Sequence, residues 1–427
     1  MTGALAGKAL ELAAQMLLVA AVPRVLGPSD YGVFALALAI VTVGSLSMSL
    51  GGPTLMSRFV PAVGLSERGA VARSLLLRLA RWRALALGPV LVAAAVLVVA
   101  APSAVPAELA FLVAAALVLD VAASLAFQTA LALGRTTAWS FRWAAQNTTL
   151  VIAALGGYAL AGVDGAVAGL VVGSGVPLVW GYALIRRPLA QAEGGFALPP
   201  GITRFGVLHS LGQAFNQLTN RGAIVSVALL AGSSVQTGFS ALAIGIALAG
   251  TYAVWQLFTV QLPGLVEATR DETGPSQVEW SLRRLGTLSL AGALALAIAG
   301  VSTLQWTLPA VFGEDFAGAE AAAALALATL PLAPATAIAT QAAALRLLPG
   351  LRAWSTGAGL VALVVTAGLA VPDHGAAGGS LALLVGTWVG VATSAFAFPS
   401  ALGGRLLAAS LGGSVLVLLV ALAVGAL

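Results

Sequence analysis

The 427-residue chain has no cysteine, two histidines and one lysine, and only 8% of its residues are charged. The missing cysteines exclude disulfides, thiol catalysis and cysteine-ligated metals. The two histidines, His209 and His374, lie far apart, and His374 has no partner at metal-ligand spacing. No GxxxxGK[ST] pattern occurs, so no P-loop ATPase is expected within the chain. Outside loops long enough to gather the clustered carboxylates or bases of an active site are missing too, the longest being the stretch around "AVFGEDFAGAE". The expectation is therefore a protein that is not an enzyme and needs no cofactor.

What is there is apolar. Where a soluble chain would carry about a quarter charged residues, this one has 20 basic and 15 acidic, against 60% hydrophobic residues and a mean hydropathy of +1.02. Apolar runs of roughly twenty residues, enough to cross about 30 Å of hydrocarbon as a helix, recur throughout and predict an all-α polytopic membrane protein. The spans are read at 3–22, 32–51, 84–101, 107–131, 143–161 and 165–184. Seven more follow at 206–230, 238–262, 285–308, 319–345, 351–371, 378–398 and 406–427. The first run contains Lys8 and Glu11 and lacks a clear cleavage site, so it reads as a retained span rather than a signal peptide. These limits give an N-terminal six-helix bundle (1–185), a cytoplasmic linker (186–205), a C-terminal six-helix bundle (206–400) and an extra helix (401–427).

Charge in the loops alternates. Arg58, Arg68, Arg73, Arg78, Arg81, Arg83, Arg135, Arg142, Arg186, Arg187, Arg204, Arg270, Arg283, Arg284, Arg346, Arg352 and Arg405 fall on one side, with Lys8 at the same boundary. Asp30, Glu108, Asp164, Glu314, Asp315 and Asp373 fall on the other, where Arg24 is the one basic residue. The positive-inside rule makes the arginine-rich side cytoplasmic, and the N-terminus with it, in a multi-pass protein of the cytoplasmic membrane. The pI near 10.4 reflects this topology; the basic residues are too dispersed for nucleic acid. The segment "RGAVARSLLLRLARWRAL" reads as an interfacial amphipathic helix whose arginines meet anionic lipid.

The two halves resemble each other at an offset of roughly 205 to 213 residues. "LGPSDYGVFALALAI" matches "LAGSSVQTGFSALAIGI", "VDGAVAGLV" matches "DHGAAGGSL", and Gln128 lies opposite Gln341. Six spans separate equivalent elements, so the repeat is parallel, and such repeats place a substrate site between two bundles.

The segment "PRVLGPSDYGVFALALAIVTVGSLSMSLGGPTLMSRFVP", with "GVDGAVAGLV", resembles the polysaccharide transporter family of the multidrug/oligosaccharidyl-lipid/polysaccharide exporter superfamily. The resemblance implies two six-helix bundles in a MATE-like V around a central cavity, with 12 or 14 spans where this chain reads as 13. It also implies alternating access that flips a polyprenyl-diphosphate-linked glycan, driven by H⁺ or Na⁺ or by membrane potential. A multidrug antiporter of the same superfamily and a non-transporting component of envelope assembly are the alternatives.

Several polar residues interrupt the apolar spans. His209, Gln213, Asn216, Gln217, Asn220 and Arg221 follow the spacing of one helix face. With Lys8 and Arg352 assigned to the cytoplasmic ends of their spans, Arg221 is the one basic residue deep inside an expected span, about 22 Å along the helix from Gly206 at 1.5 Å per residue. It either snorkels or forms an internal ion pair, or it lines the cavity, where its planar fork suits diphosphate oxygens. Lys8, Glu11 and Gln15 form a second stripe, and at an offset of 206 Gln15 corresponds to Arg221. Lys8 and Glu11 are a local pair near the boundary or a cavity feature. Asp120, in a stripe with Ser124 and Gln128, is a candidate for H⁺ or Na⁺ coupling, together with Glu11, or a neutral structural acid. Tyr252, Gln256 and Thr259 form a face suited to sugar hydroxyls or to helix packing.

Overall fold

Helices apolar all round bury themselves in a protein core or in lipid, and the computed structural model of the chain is built of such helices. It describes residues 2–60, 63–64, 67–100, 106–192, 202–268, 274–346 and 348–427. Arg270 and residues 193–201 of the expected linker lie outside these, as do the side chains of Lys8, Arg58 and Thr259. No strand occurs among the described residues. In chain order the helices are α1 (Thr2–Ser47), α2 (Gly52–Phe59), α3 (Arg68–Ala100), α4 (Ala110–Ala132), α5 (Thr136–Ala190), α6 (Ile202–Leu230) and α7 (Ser234–Ala268). There follow α8 (Gly274–Phe312), α9 (Glu320–Leu327), α10 (Ala333–Leu345), α11 (Pro349–Ala397), α12 (Pro399–Leu402) and α13 (Gly404–Ala423).

Among the described residues nine helical stretches are long and apolar enough to cross a membrane, so the chain is a multi-pass membrane protein. Three of them, of 39, 55 and 49 residues, greatly exceed the roughly 20 residues one crossing needs. Each is broken by a glycine. Gly27 divides α1 (φ 72°, ψ 169°), Ala161 and Gly162 divide α5 (Gly162 φ 62°, ψ −144°), and Gly375 divides α11 (φ 50°, ψ −122°). Nine stretches plus three further halves make twelve, and α6, whose polar stripe lowers its hydropathy, makes thirteen helical segments.

Two elements differ from the sequence reading. Interfacial helix and third span are one continuous helix, α3, with Arg73, Arg78 and Arg81 exposed and Arg83 buried. The expected span at 319–345 is interrupted by a 3-10 turn at Leu330–Leu332 between α9 and α10; Pro331 there lacks the amide that an unbroken α-helix requires.

The chain forms two compact units. The first comprises Met1–Leu26 and Val33–Ala214. Leu55 and Met56 of α2, with Val60 just past its end, cluster with Val71, Leu75 and Leu79 of α3, and Phe127 meets Trp180 edge-on at 5.0 Å. The halves of α5 approach backbone to backbone: a Cβ at Gly157 or Gly165 would strike the other's carbonyl, the close packing small residues permit.

The second unit comprises Gly27–Gly32 and Phe215–Leu427. Tyr31, Phe239 and Phe312 each set an edge against Phe316 at 6.1 to 6.4 Å. Trp388 Nε1 donates to Ser414 Oγ at 2.9 Å, which in turn donates to Ala328 O at 2.6 Å. Such links satisfy polar groups that hydrocarbon would leave unpaired.

Candidate functional site

The first unit holds a buried polar network made from α3, α4 and α5. Arg83 is 3% exposed. It donates from Nη2 to Ser49 O at 2.9 Å and to Gln128 Oε1 at 3.0 Å, and from Nη1 to Val121 O at 3.2 Å. Gln128 passes the chain on, donating from Nε2 to Ser124 Oγ at 2.9 Å. The stripe of Asp120, Ser124 and Gln128 on α4 therefore faces inward, as the spacing of four required. Asp120, 7% exposed, accepts from Gln146 Nε2 of α5 at 2.7 Å. Arg142, 4% exposed, lies over the rings of Trp143 and Phe127, at 4.4 and 5.4 Å from their centroids, a cation–π arrangement.

On α1, Glu11 is buried, and Gln15, half-buried, accepts from Asn147 Nδ2 at 3.0 Å. Ser210 Oγ, at the start of α6, accepts from Gly51 N at 2.7 Å and lies 3.1 Å from Ser49 Oγ. His209 stacks on Phe205 at 6.1 Å. Gln213 is half-buried.

In the second unit, Asn216 and Asn220 line a partly open cavity with about 650 Å³ of empty space, its mouth included. Arg352 of α11, 8% exposed, also lines it. The guanidinium donates from Nη2 to Asn216 Oδ1 at 3.2 Å and from Nη1 to Ser394 Oγ at 3.4 Å. No carboxylate is among the lining residues. From α7 the cavity takes Thr251 and Trp255. Tyr252 and Gln256, each one residue further along, are half-buried and are not among the lining residues, and Gln256 Oε1 is buried without a hydrogen-bond partner among the described residues.

Arg221 and Gln217 on α6 are half-buried and do not line this cavity. Tyr31 lies within electrostatic range of Arg221. No hydrogen bond or ion pair to the Arg221 guanidinium is present among the described residues.

Solved transporters share this helical fold. The chain is similar to a lipid II flippase, MurJ, in an inward closed conformation, over 99% of this chain and 92% of that one, with a TM-score of 0.70 and 12% identity. It is also similar to an inward-facing multidrug resistance MATE family transporter of the MOP superfamily. There the match covers 98% of this chain and 95% of the other, with a TM-score of 0.50 and 14% identity. No family model and no curated protein matches the sequence. At these identities the likeness establishes a common MurJ- and MATE-like helical fold.

Sequence reasoning missed Arg83, Arg142 and Arg352 as buried groups. The charge pattern places all three among cytoplasmic loop charges, with Arg221 as the sole arginine within a span, whereas in the structure each sits inside a helix and is buried. One signal was available: Arg83 and Arg142 lie one residue before an expected span, where a helix needs only to begin earlier to carry the arginine inward, and Arg352 is the second residue of the expected span 351–371.

Proposed function

We propose that the chain is a flippase that moves a polyprenyl-diphosphate-linked oligosaccharide or polysaccharide precursor across the cytoplasmic membrane by alternating access. The observation that carries this reading is Arg221: a half-buried guanidinium on a membrane helix without an ion pair or hydrogen bond among the described residues. A buried fixed cation is costly in a membrane and marks a substrate pathway by default. Its fork matches the paired oxygens of a diphosphate. A fold shared along almost the whole chain with a lipid II flippase supports the same substrate class. In this reading Arg221 engages the diphosphate. Gln213, Asn216, Gln217, Asn220, Gln15, Tyr252 and Gln256 contact sugars, while Asp120 and Glu11 carry the coupling H⁺ or Na⁺.

The buried carboxylates Glu11 and Asp120 favour a second reading, a multidrug antiporter for cations, which the likeness to a MATE transporter also accommodates. The unpaired Arg221 weighs against it. Reconstitution in liposomes separates the two. A flippase transfers a fluorescent polyprenyl-diphosphate sugar to the opposite leaflet and leaves ethidium unmoved; ethidium transport without lipid transfer would replace the first reading with the second.

A further inference from the structure

The Arg352 cavity is a second cationic feature, separate from Arg221, and its lining has a chemical bias. Six threonines face it: Thr219, Thr251, Thr329, Thr336, Thr356 and Thr387. Five of them already donate their hydroxyl hydrogen to a carbonyl of the local backbone. Thr219 donates to Phe215 O at 2.9 Å, Thr356 to Arg352 O at 2.8 Å and Thr387 to Leu383 O at 2.7 Å. Thr329 and Thr336 bond in the same way to Ala326 O and Leu332 O. With those hydrogens committed, these five hydroxyls can only accept a hydrogen bond from a ligand.

The cavity thus combines one enclosed guanidinium, held by two neutral oxygens and with no carboxylate in the lining, with five threonine hydroxyls that can only accept. A bare anion would satisfy the guanidinium but meet the acceptors unfavourably. A neutral sugar would satisfy the acceptors and leave the cation without a counter-charge, which is expensive away from water. A carboxylate carried on a polyhydroxyl ring answers both, its O–H groups donating to threonine oxygens and its anion taking the fork. Trp255, on the same wall, adds an apolar ring face of the kind that sugar C–H groups cover.

We propose that this cavity is a binding site for an acidic sugar, a hexuronate unit of the transported glycan. The proposal rests on the glycan-carrier reading above for its physiological ligand, but the binding itself is independent of translocation and is measured without it.

The test is titration of the purified full-length chain in detergent with glucuronate, glucose, acetate and inorganic phosphate, followed by tryptophan fluorescence, with Trp255→Phe identifying the local signal. Saturable binding of glucuronate is expected, with glucose, acetate and phosphate each about tenfold weaker or more, the ratio one charge-assisted hydrogen bond supplies. Arg352→Gln should abolish glucuronate binding, and Arg352→Lys should keep a fraction of it. Thr387→Val, close to isosteric, should weaken glucuronate severalfold and leave acetate unchanged. Size-exclusion profiles and melting in detergent verify that each variant is folded, and if Arg352→Gln is not, the Lys and Val variants carry the test. Absence of saturable binding, equal binding by folded Arg352→Gln, or phosphate binding as tight as glucuronate would each overturn the proposal. Binding as expected in a chain that fails to move lipid-linked sugar in liposomes would overturn the flippase reading and leave this site standing.

Discussion

Arg83 of α3 and Gln128 of α4 are joined by a hydrogen bond of 3.0 Å, and the same guanidinium holds Ser49 O and Val121 O. One side chain thus ties three backbone segments of the first unit. Arg83→Gln removes the charge and strands acceptors in a buried setting, where a hydrogen bond to a charged group contributes about 1.5 to 3 kcal/mol. A clear fall in melting temperature in detergent is expected, while the exposed neighbour Arg81→Gln should lie within about 0.5 kcal/mol of the parent. Equal melting of the two variants would contradict the network.

Gly52 belongs to the same knot. A Cβ there would collide with Gln128 Oε1 and come within 3.0 Å of Arg83 Nη2. Gly52→Ala should therefore destabilise despite the better helix propensity of alanine, which by itself would favour the variant by about 1 kcal/mol. Gly156→Ala, in α5, meets nothing within 4 Å and serves as the control that should stabilise or be neutral.

For Arg221, the expected outcome of Arg221→Ala is a ten- to hundredfold loss of apparent affinity for polyprenyl-diphosphate sugar, on the order of one or two charge-assisted hydrogen bonds. Arg221→Lys should recover part of it, keeping the charge without the fork. Complementation of a flippase-deficient strain, with membrane levels checked, reads both. Full activity of Arg221→Gln at normal abundance would remove the residue from the substrate path.

Asp120 accepts one hydrogen bond, from Gln146 Nε2, and an asparagine oxygen accepts it equally well. Asp120→Asn should accordingly fold and express while transport loses its dependence on an imposed H⁺ or Na⁺ gradient. Unchanged gradient dependence in proteoliposomes would make Asp120 a structural residue.

Orientation is testable because the chain has no cysteine to interfere. Single cysteines replacing Arg187 and Asp315, both exposed, should react with an impermeant thiol reagent in intact cells at Asp315 only. Labelling at Arg187 instead would invert the topology.

The helical character and the placement of most segments were legible because hydropathy acts over windows of some twenty residues and tolerates local error. The breaks at Gly27, Gly162 and Gly375 lie between expected spans, where "LGPSD", "GVDG" and "PDHG" gather turn residues and acids. Resolution at the level of one residue was not available. Arg83 and Arg352 sit at the ends of apolar runs, where a charge that faces headgroups and one that turns inward have the same sequence; only the neighbouring helix, offering Gln128 in one unit and Asn216 in the other, distinguishes them. On α7 the sequence marks a polar face at Tyr252 and Gln256, and the Arg352 cavity is lined by Thr251 and Trp255, one residue and so about 100° around the helix away; that second face carries no polar pattern that separates it from helix packing.

The three glycine breaks also bear on heredity. At Gly27, Gly162 and Gly375 the backbone combines positive φ with extended or strongly negative ψ, a region essentially restricted to residues without a Cβ. Every missense change in a glycine codon adds a Cβ, so at these three codons no amino-acid variant is mild. Mutational scanning of the gene should find them depleted of every substitution, islands of intolerance in long helices where one aliphatic residue readily replaces another.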